Sequence, residues 1–189
     1  MSTRRVLPVL LLCALAAVTH ATAAESPRTM PTRDVDVTYE INVAGRTATE
    51  RMRWSVADAL LRVDPPTSGI YMIADYRRHS VALVSQAQRS VAISPAPAAA
   101  IPGTPGAVAG SGYARGNRDN VSGIACTEWA ATDTEGRAVG ICMTDDGVLL
   151  RVRAEGNTLL QARTVAYGKQ DAAAFVVPAD YRRIHPFGG

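Results

Sequence analysis

Beyond its first 24 residues, the chain has few side chains that could do chemistry: Cys126 and Cys142, His79 and His185, and the pair Asp145-Asp146. A serine triad needs a nucleophile elbow, and Gly110-Ser111-Gly112 lacks the G-x-S-x-G pattern and its strand and helix flanks. The histidines fall at a hairpin edge and in the tail, where they read as surface groups. Metal ligands come at short spacings, and no pair among these residues has one. Asp145-Asp146-Gly147 runs straight into Val148-Leu149-Leu150, so it lacks the alternating oxygen ligands of a calcium loop and reads as a turn. These residues point to no catalytic group, no metal and no cofactor. The expectation is a protein that is not an enzyme.

The cysteines have a better reading. A hairpin with a three-residue loop at Asp133-Thr134-Glu135 places Cys126 directly opposite Cys142, and Ala125, Thr127 and Trp129 opposite Met143, Ile141 and Val139. The apolar face should then meet the core, leaving Glu128 and Thr144 on the cysteine face. Neither C-x-x-C spacing nor a helix N-terminus is there to activate a thiol, so the pair reads as a structural disulfide. Disulfides persist outside the reducing cytosol.

The N-terminus agrees with that compartment. Arg4-Arg5 precede the apolar run Val6–Val18, and Ala21-Thr22-Ala23 puts small residues where a signal peptide is cut. The run is short of the ~20 residues that span a bilayer. Leu12 stands before Cys13 where a lipoprotein box wants Gly or Ala. The expectation is a signal peptide over 1–24 and a soluble periplasmic or secreted chain from about residue 25. Without residues 1–24 the chain keeps 18 basic against 17 acidic side chains. No basic cluster exceeds pairs such as Arg77-Arg78 and Arg182-Arg183, so no nucleic-acid partner is expected. Arg51, Arg53, Arg151 and Arg153 line strand faces opposite apolar residues, which suits a solvated sheet face or a rim for anionic headgroups.

The remaining residues must fold as strands. Val35, Val37, Tyr39, Ile41 and Val43 alternate with polar residues, the period-two pattern of a half-buried strand. Strands follow at Met52–Val56, Ala59–Asp64, Ile70–Ile73, Ser80–Ser85 and Arg89–Ser94, with Ile70–Ile73 covered on both faces. After the loop 95–112, rich in Pro, Ala and Gly, come Val121–Ala131, Ala138–Thr144, Val148–Ala154 and Leu159–Ala166. One helical turn is expected at Asp171–Phe175. The organisation is a flexible lead-in at 25–33, one β domain over 34–184 and a tail at 185–189. Consecutive hairpins predict an all-β fold with minimal helix, a single curved antiparallel sheet, with a β-sandwich or closed barrel as the alternative.

The segments Arg115–Trp129 and Gly140–Arg151, with Phe175-Val-Val-Pro178-Ala-Asp-Tyr181, resemble a group of uncharacterised exported proteobacterial proteins. The strand order is similar to that of the LolA/LolB-like superfamily of lipoprotein-localisation factors. The resemblance implies a half-barrel whose concave side accepts acyl chains. On that basis Met52, Trp54, Ile70, Met72, Leu83 and Trp129 are candidates to line an apolar groove, and a larger side chain at Ala82 should fill it. The expected partner is a lipid, a lipoprotein acyl chain or another hydrophobic ligand. The alternative is an interaction module that contacts an envelope protein.

Overall fold

The computed structural model describes residues 25–43, 45–67, 69–96, 112–133 and 136–184. The expected signal peptide, the bulk of the Pro-rich loop, Ser111, His185 and the tail lie outside these residues. Twelve strands form one sheet: β1 (Val35–Val43), β2 (Arg46–Ser55), β3 (Leu60–Asp64), β4 (Ile70–Asp75), β5 (Ser80–Ser85), β6 (Ser90–Pro95), β7 (Ala114–Val121), β8 (Ile124–Thr132), β9 (Ala138–Met143), β10 (Leu149–Ala154), β11 (Asn157–Tyr167) and β12 (Arg182–Ile184). Their spatial order is β12-β6-β5-β4-β3-β2-β1-β11-β10-β9-β8-β7. The sheet is open and curved, as a half-barrel is. Neighbours are antiparallel except β12, which lies parallel to β6. Helical structure among the described residues is one 3-10 turn, Ala172–Phe175, where the Asp171 carboxylate accepts from the Ala173 N–H.

Most strands begin and end within a residue or two of the sequence expectation, but two were not foreseen. Strand β7 (ARGNRDNV) has no apolar alternation because seven of its eight residues are exposed. It is joined to β8 by a tight turn with Ser122 and Gly123 at φ 52° and 81°. Strand β12 is three residues long and exists only because the chain returns to the edge at β6. In the meander, the loops before β3, β5 and β6 each end in a left-handed residue, Ala59, His79 or Arg89, at φ 46–53°. Such a backbone favours glycine or asparagine, so these turns carry no obvious sequence mark.

The expected register of the cysteine hairpin needs correction. Glu128, not Cys126, lies opposite Cys142, and Thr127 lies opposite Met143. Asp133, expected in the loop, instead pairs with Arg137, its N–H donating to the Arg137 carbonyl at 2.9 Å, and the loop between them closes on Gly136 at φ 81°. A three-residue hairpin loop ends in a left-handed residue, a place that glycine fills without a Cβ clash. Seating Gly136 there moves the loop one residue along the chain and the register by two. A two-residue slip preserves the faces. Cys126 and Cys142 therefore remain neighbours, offset along the strands, and are bonded with Cα atoms 5.5 Å apart.

The core lies on the face that carries Val35, Val37 and Tyr39. It joins Met52, Trp54, Leu61 and Val63 of the meander to Val121, Cys126, Cys142, Val148, Leu150 and Ala162. Tyr39 ties the two halves, its hydroxyl donating to the Leu149 carbonyl at 2.9 Å. Burial pushes the Tyr39 phenol well above its usual pKa. The cysteine face of the β8–β9 hairpin thus belongs to the main core. The opposite face does not join it directly: Trp129, Ile141, Met143 and Leu149 form a second buried cluster. Both faces of this hairpin are covered.

Chain segments cover much of the rest. Residues 25–33, expected to be a flexible lead-in, are docked: Pro27 and Pro31 are buried, and the Trp54 indole N–H donates to the Pro31 carbonyl at 3.0 Å. Thr32 N–H donates to the Asp146 carbonyl at 2.9 Å. Gly147 allows this approach, since a Cβ there would stand 2.3 Å from the Met30 carbonyl oxygen. Residues 171–184 cross the reverse face, where Val177 and Tyr181 pack on Tyr71, Ile73, Ala82, Val84 and Val91.

Candidate functional site

One cross-strand row on the core face runs Val37–Met52–Val63–Met72–Leu83–Ala92, each residue opposite the next. Alternation puts Trp54 and Ile70 on the same face. Exposure changes along the row. Met52 is 2% and Val63 6% exposed, Met72 is half-buried, and Leu83 is 52% exposed. The lead-in meets the core face at Trp54 through Pro31, and Met30 packs on the main core. Ile70 is half-buried as well, so β4 is covered on both faces only at Tyr71, Ile73 and Ala74.

Of the six residues expected to line a groove, five therefore share the core face. Met52 and Trp54 are packed into its interior, Trp54 edge-on to Tyr76 at 5.3 Å between ring centres. Ile70, Met72 and Leu83 stand at the open end. Trp129 is 6% exposed and sits in the second cluster, edge-on to Tyr113. Ala82 is misplaced by the sequence reading. It pairs with Ile73 and Ile93 on the reverse face, because a groove residue on β5 must have the parity of Leu83.

The charged groups are absorbed by one another. On the reverse face Arg53 and Arg62 both reach Asp64 at 2.6 Å, and Arg51 donates to Asp36 at 2.9 Å. Burial alone would raise the Asp64 pKa, but hydrogen bonds from Arg62 and Arg53 outweigh it and hold it below the usual carboxylate value. Asp146 is lowered in the same way, burial being outweighed by the Thr144 hydroxyl, Arg33 and Tyr167. This corrects the picture of a solvated arginine face: Arg51, Arg53 and Arg151 all have carboxylate partners.

Arg151 is the group that sequence reasoning missed. Its side chain is only 8% exposed and is held between Asp119 and Glu128. Asp119 and Glu128 oxygens lie within 4.8 Å of the Cys142 sulfur. That sulfur is spent in the disulfide, and the guanidinium already neutralises both carboxylates, so the donor set suits an arginine rather than a metal. Hydrogen bonds from Arg151 and from the Asn120 N–H hold Asp119 low. Strand β10 carries both Arg151 and Arg153, and only the cross-strand pairing of Arg151 with Cys142, past a register irregularity, sets it apart. His79 is exposed on the β4–β5 turn, where its carbonyl accepts from the Ala96 N–H at 2.8 Å.

No protein-family model matches the chain, and no curated protein does. Solved structures match its fold. A conserved protein of Thermus thermophilus superposes with a TM-score of 0.60 at 12% identity, covering 82% of this chain and 91% of that one. A chain of the Pseudomonas aeruginosa MucA/MucB complex gives 0.53 at 15% identity, and PNGF-II gives 0.52 at 9%. This chain spans 59% of the former and 31% of the latter. At these identities the likeness is one of fold.

Proposed function

We propose that this is a non-catalytic, extracytoplasmic binding protein that holds an apolar segment of an envelope protein at the open end of its core face. The observation that carries the reading is the row from Met52 to Ala92, buried at Met52 and Ala92 and 52% exposed at Leu83 between them. An acyl chain needs most of its surface enclosed. The described core face offers it a strip rather than a cavity, because Met52, Val63 and the lead-in fill the interior. A strip of half-buried residues suits a partner that brings its own surface. The fold likeness to a chain of the MucA/MucB complex, itself a protein–protein assembly, supports a protein partner. The signal-peptide pattern and the Cys126–Cys142 bond support export.

The test is a titration of extended apolar peptides against the full chain and its Leu83→Asp variant, read by Trp54 and Trp129 fluorescence and calorimetry. Saturable peptide binding that is lost in Leu83→Asp and kept in Leu159→Asp is expected. Equal binding by wild type and Leu83→Asp, or none at tens of micromolar, overturns the reading. A fatty-acyl probe that binds at Leu83 in place of peptides would establish acyl carriage on this face instead.

A further inference from the structure

Among the described residues, an apolar space opens on the reverse face. There the chain beyond β11 crosses from β3 to β12. It is anchored at one end by Arg62, which donates to the Ala174 carbonyl at 2.8 Å. At the other end the Arg182 N–H donates to the Arg89 carbonyl at 2.9 Å, and Arg89 pairs with Asp180. Between these anchors Val177 and Tyr181 pack on the sheet, but the segment does not fill the space beside them. A cavity of about 380 Å³ is left, lined on the sheet side by Leu60, Ile73, Ala82 and Ile93 and on the segment side by Phe175 and Val177. Its volume lies within the range of small-molecule sites, roughly 300–1,000 Å³.

The rim is polar and its charge is lopsided. Asp75 is the acidic group there, and it is already satisfied: it accepts from the Arg77 and Arg78 N–H groups at 3.0 and 2.8 Å and from the Arg78 guanidinium at 2.9 Å. Arg183 stands at the opposite rim, exposed, with no ion pair among the described residues. The site is thus an apolar interior with a cation to spare at its mouth. We propose that this reverse-face cavity binds a single-chain amphiphile with an anionic head, its acyl body between Ala82 and Phe175 and its carboxylate at Arg183. The inference is independent of the core-face reading, because the two sites lie on opposite faces of the same strands.

Decanoate, decanol and acetate titrated calorimetrically into the full chain test it. Decanoate should saturate below about 1 mM, decanol more weakly, and acetate not at all. Arg183→Glu should weaken decanoate about fivefold, the scale of an exposed ion pair, and leave decanol unchanged. Ala82→Trp should abolish both. Because Ala82 is buried, the half-exposed Ile93→Glu provides a second obstruction that leaves the core intact, with folding checked by circular dichroism. Leu83→Asp, on the other face, should bind decanoate as wild type does. Decanoate binding that survives both Ala82→Trp and Ile93→Glu, or that Leu83→Asp removes, overturns the proposal. So does failure of decanoate to bind at all.

Discussion

The β8–β9 and β4–β5 hairpins are built from similar residues and end in opposite states. In β8–β9 one face enters the main core through Cys126 and Cys142, the other forms a cluster around Trp129 and Ile141, and a disulfide locks the pair. In β4–β5 the reverse face is covered in part by Val177 and Tyr181, while the core face opens at Leu83. The difference lies in coverage rather than in strand propensity. Where chain or a neighbouring strand lies over a face, apolar residues there stabilise the fold. Where none does, the same residues are left for something else to cover, which is the physical content of an exposed apolar strip.

Removing buried volume should separate the two hairpins most sharply. Ile141→Ala, at a fully buried site, is expected to cost about 2–5 kcal/mol, while Leu83→Ala should cost less than about 1 kcal/mol because half its surface is already in water. Urea unfolding of both variants gives the comparison directly, and similar losses would break it.

The disulfide comes next. Cys126 and Cys142 are 16 residues apart, so replacing both by alanine should destabilise by about 3 kcal/mol in the chain-entropy account. Free-thiol titration under non-reducing conditions should find none. Since the pair staples β8 to β9, hydrogen exchange should accelerate in that hairpin before it does in β4–β5.

A smaller effect concerns Asp64, which the meander uses to gather Arg53 and Arg62. Asp64→Asn should cost about 1 kcal/mol at neutral pH, a figure reduced for the partial exposure of the carboxylate. Its folded pKa is depressed, so the stabilisation is complete above the unfolded carboxylate value near 3.9 and is lost as pH falls through the folded one. Wild type and Asp64→Asn should therefore converge in acid, in thermal melts taken from pH 7 downwards. Divergence on acidification would contradict the assignment.

Leu83→Asp should cost about as much as Leu83→Ala, within about 1 kcal/mol, because half the side chain is already in water. It sharpens the comparison by its selectivity: peptide binding should be lost while the melting temperature barely moves.

Much of this architecture was legible in the residues. Alternation from Val35 to Val43 marks β1 at its observed limits, since a strand half in water must alternate. Asp133–Gly136 marks the β8–β9 turn, and parity alone places the two cysteines on the face away from Trp129. The register was off by two because the glycine that must be left-handed closes the loop rather than follows it. Strand β7 was invisible, since seven of its eight residues are exposed and its backbone pairs with β8 alone among the strands.

Sequence by itself determined the strand periods, the parity of each side chain and the cysteine pairing, because these depend on neighbours along one hairpin. Only the tertiary structure decided which faces are covered. The lead-in reaches the sheet through Trp54 and Pro31, the last segment through Arg62 and Ala174, and the arginines find carboxylates on other strands. Those contacts join residues 11 to 112 positions apart, and no local pattern records them. Whether Met52 is core or groove, and on which side of β5 an apolar cavity opens, depends on what part of the chain comes to lie over each face.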